Sequence, residues 1–444
     1  MLSLIRKNNQ IIIGLINQSF NIIVPFIITF LSLKILTPEQ GSIWLMFLSM
    51  IILIGLFDFG LSPTIVRNVS YVIAKAKRLP KDKLENIDFG DLISFSLLNR
   101  LISDVRLIYR KLTILASLII LGCGSIYFYY IAPKDITTQV CLSWLLFGCG
   151  LLVSLYYLYY TPILSGFGKI QHANLANIYG RVSWLAMTAI LLPTGLNLLK
   201  LSFAFFFSVI ITRVICVYFY NNNNFSKATL NVEPVEESTI PFISGNAIRL
   251  GMATMGNVII SRAPVIIAGI GLNLSVAGSF TFTTQIYLAI LSISNVYIAI
   301  QVPKLAHLFI KKESKEIKKI ILRTVFLTNV LYLIGFVLFV LLSNFIIEIT
   351  EAKVGFLELK YVLLMGGIFL LDLNHNLCTC ILATANRIPF VRPTIISGVL
   401  IAVIGWILVV PFHMGIIGLI ATQGIVQLCY NNWKWPLLVY QEYF

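Results

Sequence analysis

Charge is what this sequence has least of. Asp, Glu, Lys and Arg make up only 11% of its 444 residues, and acidic residues number 18 against 33 basic ones. A soluble globular chain carries about 25% charged and roughly 45–50% apolar residues. Here 58% are hydrophobic and the mean hydropathy is +0.90. Both departures point the same way and exclude a soluble fold. Most of the chain is expected to lie in a bilayer.

Signatures of catalysis and cofactor binding are also missing. There is no phosphate-binding loop, no zinc-type spacing and no nucleophile elbow. The seven cysteines lie in or beside apolar runs without metal spacing, which reads as small buried hydrophobes. No cofactor, no metal and no enzymatic activity are expected. Any energy source is then an ion gradient, the membrane potential or mass action. A cleavable leader is not indicated either. The first apolar run, Ile11 to Leu33, exceeds the 7–15 residues of a signal-peptide core, and no small-residue cleavage site follows.

Long apolar runs are abundant. A bilayer core needs about 20 apolar residues per helix. Twelve segments qualify: 11–33, 43–66, 112–132, 140–161, 176–193, 201–220, 246–272, 278–302, 324–347, 361–383, 394–411 and 415–433. Lys and Arg fall unevenly between the alternate loops. With the N-terminus inside, 25 lie on the inner side, five on the outer side, and Arg213, Arg249 and Arg262 inside spans. Cytoplasmic loops retain Lys and Arg, so both termini are expected inside. This asymmetry explains most of the +15 net charge without a nucleic-acid partner. The outer loops are all short and leave no room for an extracytoplasmic catalytic domain. The longest inner loop, about 67–111, ends in a stretch with Leu97, Leu98, Leu101, Ile102, Val105 and Ile108 at helical spacing. It reads as an amphipathic helix lying on the cytoplasmic interface.

The polar segment NNNNFSKATLNVEPVEES, 221–238, divides the chain into six-span halves, 1–220 and 239–444. Residues 163–182 laid on 381–400 give five identities in twenty at an offset of 218, with Lys169 meeting Arg387. An internal duplication with both halves in the same orientation follows.

Five ionisable residues are stranded in apolar runs: Arg213, Arg249, Arg262, Asp58 and Asp372. Such residues face a bundle interior or a water-filled cavity in most membrane proteins. The first span also carries Asn17, Gln18, Asn21 and Pro25, and the seventh carries Asn246, Arg249, Asn257, Arg262 and Pro264. The first helix of each half is thus expected to be polar, broken by proline, and to line a central cavity. Arg262 has three readings: snorkelling, a structural pair with Asp58 or Asp372, or contact with an anionic substrate. Arg213 and Arg249 near span ends read as snorkelling residues or cavity cations. Asp58 reads as a helix-packing hydrogen bond or part of an ion site. Asp372 and His375, three residues apart, share a helix face and form either a proton relay or a structural polar pair. The cluster YYLYY, 156–160, reads as an aromatic belt or as a sugar-stacking platform.

Three stretches carry a family resemblance: LSLKILTPEQGSIWLMFLSMIILIGLFDFGLSPTIVR (31–67), ILSGFGKIQHANLANIYGR (163–181) and NLSVAGSFTFTTQIYLAIL (273–291). With the span count, the halves and the cationic interior, the whole chain resembles the O-antigen flippases (Wzx) of the MOP superfamily. The resemblance implies an all-α polytopic fold of 12 transmembrane helices in two MATE-like six-helix halves. It implies transport of undecaprenyl-diphosphate-linked oligosaccharide repeat units between leaflets of the bacterial inner membrane by alternating access. Partners would be that substrate, membrane lipids and other polysaccharide-assembly proteins. Arg262, Arg249, Asn257, Asn17, Gln18 and Asn21 become substrate-binding candidates, and Asp58, Asp372 and His375 ion-coupling or structural candidates. The seventh span lacks the acidic residue often found there in the family. An ion-coupled multidrug or metabolite antiporter and a membrane O-antigen polymerase are the competing readings. A drug-cation site would want a net acidic cavity, and a polymerase a large outer loop; neither is present in the sequence.

Overall fold

In hydrocarbon every backbone N–H and C=O must find a partner within the chain, so long apolar segments become helices. The computed structural model describes residues 2–79, 90–230, 232–311, 313–385 and 387–444. The side chains of 2–11, 244–246, 249–250 and 310 are not described. Among the described residues the chain is all-helical, with no strand. The helices are α1 (Leu2–Ile35), α2 (Pro38–Asp58), α3 (Leu61–Ile73), α4 (Phe95–Ile131), α5 (Lys134–Gly166), α6 (Ile170–Leu191), α7 (Leu198–Asn221) and α8 (Asn224–Thr229). They continue with α9 (Ile240–Gly271), α10 (Leu274–Phe309), α11 (Ser314–Thr350), α12 (Leu359–Thr384), α13 (Val391–Val409), α14 (Gly415–Cys429) and α15 (Asn431–Tyr443). Side-chain caps accept the free N–H groups at several starts: Ser94 from Leu97, Asn197 from Lys200, Asn223 from Phe225 and Asn273 from Ser275.

Among the described residues, eleven helices are long and apolar enough to cross a membrane. The protein is a multi-pass membrane protein. The segment expected as a twelfth span behaves differently. Its helix α14 has 15 residues, about 22 Å against a hydrocarbon core of about 30 Å. Tyr430 leaves the helical region (φ −147°, ψ −59°), and α15 begins immediately after it.

Other expectations shift as well. The second span ends at Asp58, where Phe59 (φ 49°) and Gly60 (φ 68°) turn the chain in left-handed conformations into α3. The amphipathic stretch after residue 90 is not a separate interfacial helix. It is the first part of α4, 37 residues long and continuous with the third span through a π-helical segment at Leu118–Cys123. Its apolar residues Leu98, Leu101, Ile102 and Val105 are buried against protein. A helix of that length spans about 55 Å and must overhang the bilayer. Helix α11 is also 37 residues long. The two start 219 positions apart (95 and 314), within one of the offset read from sequence identity. Pro25 and Pro264 do not break their helices; α1 and α9 continue through them.

The chain clusters into two units, Met1–Ser32 with Met50–Thr254, and Leu33–Ser49 with Met255–Phe444. In the first unit α5, α6 and α7 pack closely, with Gly180 of α6 facing Thr212 of α7. Asp104 on the α4 overhang is buried and accepts from Thr239 N (2.6 Å), Thr239 Oγ1 (2.9 Å) and Ser238 Oγ (3.1 Å), clamping the start of α9. In the second unit the first part of α2 lies on α10, where Gln285 Nε2 donates to the Leu45 carbonyl at 2.9 Å.

Candidate functional site

In the first unit, α1 and α6 assemble a ladder of amides that ends on an arginine. Asn17 and Asn21 are one turn apart on α1 and so share a face. Asn17 Nδ2 donates to Asn174 Oδ1 of α6 at 3.2 Å, and Asn21 Nδ2 donates to Asn17 Oδ1 at 3.3 Å. Arg181 Nε then donates to Asn21 Oδ1 at 3.0 Å. The guanidinium also lies 5.5 Å above the Trp184 ring, a cation–π contact. The side-chain oxygens of Asn17 and Asn21 are both consumed within the ladder, and the last bond fixes the Arg181 head. Among the described residues Arg181 makes no ion pair, and its Nη atoms donate to no protein acceptor.

The total of 25 basic residues on the inner side includes Arg181. That residue is the twelfth of α6, about 17 Å from the helix start, inside the apolar span Ile170–Thr194. The correction lowers the inner total of basic residues from 25 to 24. The expected fifth span, 176–193, contains Arg181; only the loop tally sets it outside. Gln18, next to the ladder, is exposed and joins no hydrogen bond among the described residues.

Two further polar residues of this unit are structural. Asp58 accepts from the Tyr109 hydroxyl of α4, from Ser62 Oγ at 2.8 Å and from Ser62 N at 3.2 Å. Its carboxylate closes the turn into α3 and lies at that helix's positive end. Arg213 does not snorkel. It is buried, and its Nη2 donates to Ser154 Oγ at 2.7 Å and its Nη1 to Thr161 Oγ1 at 3.4 Å. Those acceptors flank an irregular turn in α5 that Pro162, lacking an N–H, forces on the chain. Of the tyrosines at 156–160, Tyr159 and Tyr160 are buried and stack at 4.3 Å, whereas Tyr156 and Tyr157 are half-buried.

In the second unit, Arg262 lies within α9 with its Nε and Nη1 buried and without partners. Asp372 is buried on α12; Gln423 Nε2 donates to its Oδ2 at 3.3 Å, while its Oδ1 has no partner. Arg262 and Asp372 therefore do not pair. Nor do Asp372 and His375 bond each other, although both are buried on one face. His375 Nδ1 instead faces the Asn431 carbonyl at 3.3 Å, where it donates. Asn431 also donates to Ser397 Oγ and to Gln427 Oε1, both at 2.8 Å, which stitches the break between α14 and α15. Next to it Asn432 is buried with both side-chain polar atoms unpartnered. Asn257 is exposed. The Arg249 and Asn246 side chains lie outside the described residues.

The two faces share one chemistry. Each offers guanidinium donors inside a span with no carboxylate paired to them among the described residues. Unpaired arginine forks suit phosphate or carboxylate oxygens. Buried cations are costly in hydrocarbon, about 2.5–3.5 kcal/mol on insertion scales, and mark functional positions in most membrane proteins.

No family model matches the sequence, and no curated protein sequence matches it. Solved structures do match. An inward-facing conformation of a multidrug resistance MATE family transporter of the MOP superfamily has a TM-score of 0.73 at 12% identity, covering 96% of this chain and 95% of its own. The MATE multidrug transporter DinF-BH in complex with R6G gives 0.59 at 10% identity over 96% and 94%. The lipid II flippase MurJ, in an inward closed conformation, gives 0.57 at 12% identity over 97% and 87%. The fold is that of MOP-superfamily transporters.

Proposed function

We propose that this chain is a flippase that moves undecaprenyl-diphosphate-linked polysaccharide repeat units, of the O-antigen type, from the cytoplasmic to the periplasmic leaflet of a bacterial inner membrane. It works as a transporter and not as an enzyme. The observation that carries this reading is Arg181, fixed by the Asn21–Asn17–Asn174 ladder and, among the described residues, without a carboxylate partner. A glycan on a diphosphate cannot cross hydrocarbon unaided. Arginine forks satisfy diphosphate oxygens, and amides of the Asn17, Gln18, Asn21 and Asn257 type satisfy sugar hydroxyls. Arg262 supplies a second cation, and Arg249 is kept as a candidate. The lipid II flippase among the structural neighbours supports the reading, since one such fold handles a lipid-linked substrate.

In the same proposal both termini lie inside and the chain makes twelve crossings. The sixth crossing of the second half (239–444) is α14 and α15 together, interrupted at Tyr430. Movement of the halves 1–220 and 239–444 as units would alternate access. Other polysaccharide-assembly membrane proteins would deliver and accept the substrate.

An ion-coupled multidrug or metabolite antiporter is the second reading. Asp372 favours it, being a buried carboxylate with an unpartnered oxygen. A cationic drug, however, would be repelled by Arg181 at the first unit's face. Deletion in a polysaccharide-producing host separates the two. The flippase reading expects lipid-linked repeat units to accumulate on the inner leaflet. Unchanged lipid-linked pools with increased drug sensitivity would overturn it.

A further inference from the structure

The ladder between α1 and α6 has a direction. Arg181 Nε can only donate, so Asn21 must present its oxygen there. The Asn21 nitrogen is then left to donate to Asn17 Oδ1, and the Asn17 nitrogen to Asn174 Oδ1. Every bond runs from Arg181 toward Asn174. The Asn174 oxygen closes the chain, and Asn174 Nδ2 is its free end. Asn17 and Asn21 each spend an N–H within the ladder, whereas Asn174 Nδ2 donates to no protein acceptor among the described residues. Bonds in such a chain polarise one another, so an amide that accepts at its oxygen donates more strongly at its nitrogen.

The surroundings keep this donor open. Asn174 is only half-buried. Gly14, one turn before Asn17 on α1, faces it: a Cβ there would lie 3.7 Å from Asn174 Nδ2, and glycine has none. Asn174 and Arg181 share one face of α6 two turns apart, about 10 Å along the axis. The site thus has a fixed cation at one end and a neutral N–H2 group at the other. With both termini inside, as proposed, α6 enters the membrane from the cytoplasmic side, and Asn174 stands nearer the water than Arg181. A diphosphate on Arg181 then places its first sugar toward Asn174. An N–H2 group only donates and so favours oxygens that only accept. On a sugar these are the carbonyl oxygen of an acetamido group and the carboxylate of a uronic acid.

We propose that Asn174 reads the sugar next to the diphosphate, its N–H2 donating to an acetamido or carboxylate oxygen there. The proposal rests on the flippase reading and adds a preference within it. Arg181 holds the diphosphate that all such substrates carry, and Asn174 separates them by their first sugar. A plain hexose offers this donor only hydroxyls, which must also place a hydrogen of their own.

The test uses the full-length purified protein in neutral lipid nanodiscs and three probes: undecaprenyl diphosphate carrying N-acetylglucosamine, glucuronic acid or glucose. Wild type should bind the first two ~10-fold more tightly than the third, the factor that one added hydrogen bond supplies. Asn174→Asp still accepts from Asn17, so the ladder and Arg181 stay in place, but it donates nothing. It should lose the preference for N-acetylglucosamine and, through like-charge repulsion, bind the glucuronic acid probe more weakly than the glucose probe. Gly14→Val covers the N–H2 group and leaves every ladder residue intact; it should level the three probes. Both variants should keep binding the glucose probe, which also shows that they fold. Equal binding of the three probes by wild type, or a wild-type preference that survives either variant, overturns the role of Asn174 and leaves the flippase reading standing. No binding of any probe by wild type overturns both.

Discussion

Gly180→Ala tests the helix register that puts Arg181 inside the membrane. A Cβ built on Gly180 would lie 1.7 Å from Thr212 Oγ1, 3.0 Å from Thr212 Cβ and 3.3 Å from the Ser208 carbonyl. The first distance is impossible. The hydroxyl is also engaged, donating to Ser208 O at 2.8 Å, so turning it away breaks a bond worth about 1 kcal/mol. The remaining two contacts are tight and involve atoms that move only with α7. Overpacking of this kind costs about 1–3 kcal/mol, a 5- to 160-fold loss in folded population. Small residues at helix interfaces carry membrane packing in general. The assay is thermal unfolding of detergent-purified protein with size-exclusion readout. Gly180→Ala should melt clearly below wild type. Thr212→Ala removes the 1.7 Å clash, so the double variant should recover most of the loss. A Gly180→Ala protein as stable as wild type, or a double variant no better than the single, would refute the register.

Other expectations follow from the same geometry. Tyr109→Phe strips one donor from the Asp58 carboxylate and should destabilise by about 1–3 kcal/mol, read as a lower melting temperature; an unchanged melt would remove Asp58 from the packing of α4. Arg262→Ala should not be rescued by Asp372→Asn in abundance or activity, because the two side chains do not pair; rescue would restore the ion-pair reading. If Asp372 couples ion movement to transport, Asp372→Asn should reduce transport driven by a pH gradient more than substrate binding, and equal losses would leave it a packing residue. Reporter fusions at Asp135, Gly195, Asn273 and Lys353 should read periplasmic and those at Lys227, Lys315 and Arg387 cytoplasmic; one opposite reading at Lys227 would break the proposed arrangement of two like-oriented halves.

Hydropathy made the spans legible because a bilayer imposes length and polarity on each helix independently of its neighbours. It made breaks illegible. Phe59–Gly60 ends α2 through backbone conformations that an apolar run does not announce, and Tyr430 interrupts the last segment without Pro or Gly at the break. The polar residues of the first span were legible by type, but their partners were not. Asn174 and Arg181 sit 150 or more positions away from Asn17 and Asn21, and only packing of α6 on α1 joins them. The charge tally counts Arg181 with the inner loops although the expected span 176–193 contains it; hydropathy alone puts it in the membrane. Asp372 and His375 show the converse: helical spacing put them on one face, yet Gln423 and Asn431, on other helices, took their hydrogen bonds.

The central claim is that arginines inside the spans, Arg181 above all, serve an anionic lipid-linked glycan. Its most direct test is translocation of a fluorescent undecaprenyl-diphosphate oligosaccharide in proteoliposomes, scored by access of an outside quencher, for wild type, Arg181→Lys and Arg181→Gln. The account predicts transfer by wild type, partial transfer with Lys, which keeps the charge but loses the fork, and none with Gln at equal protein incorporation. Transfer by Arg181→Gln at the wild-type rate would contradict it.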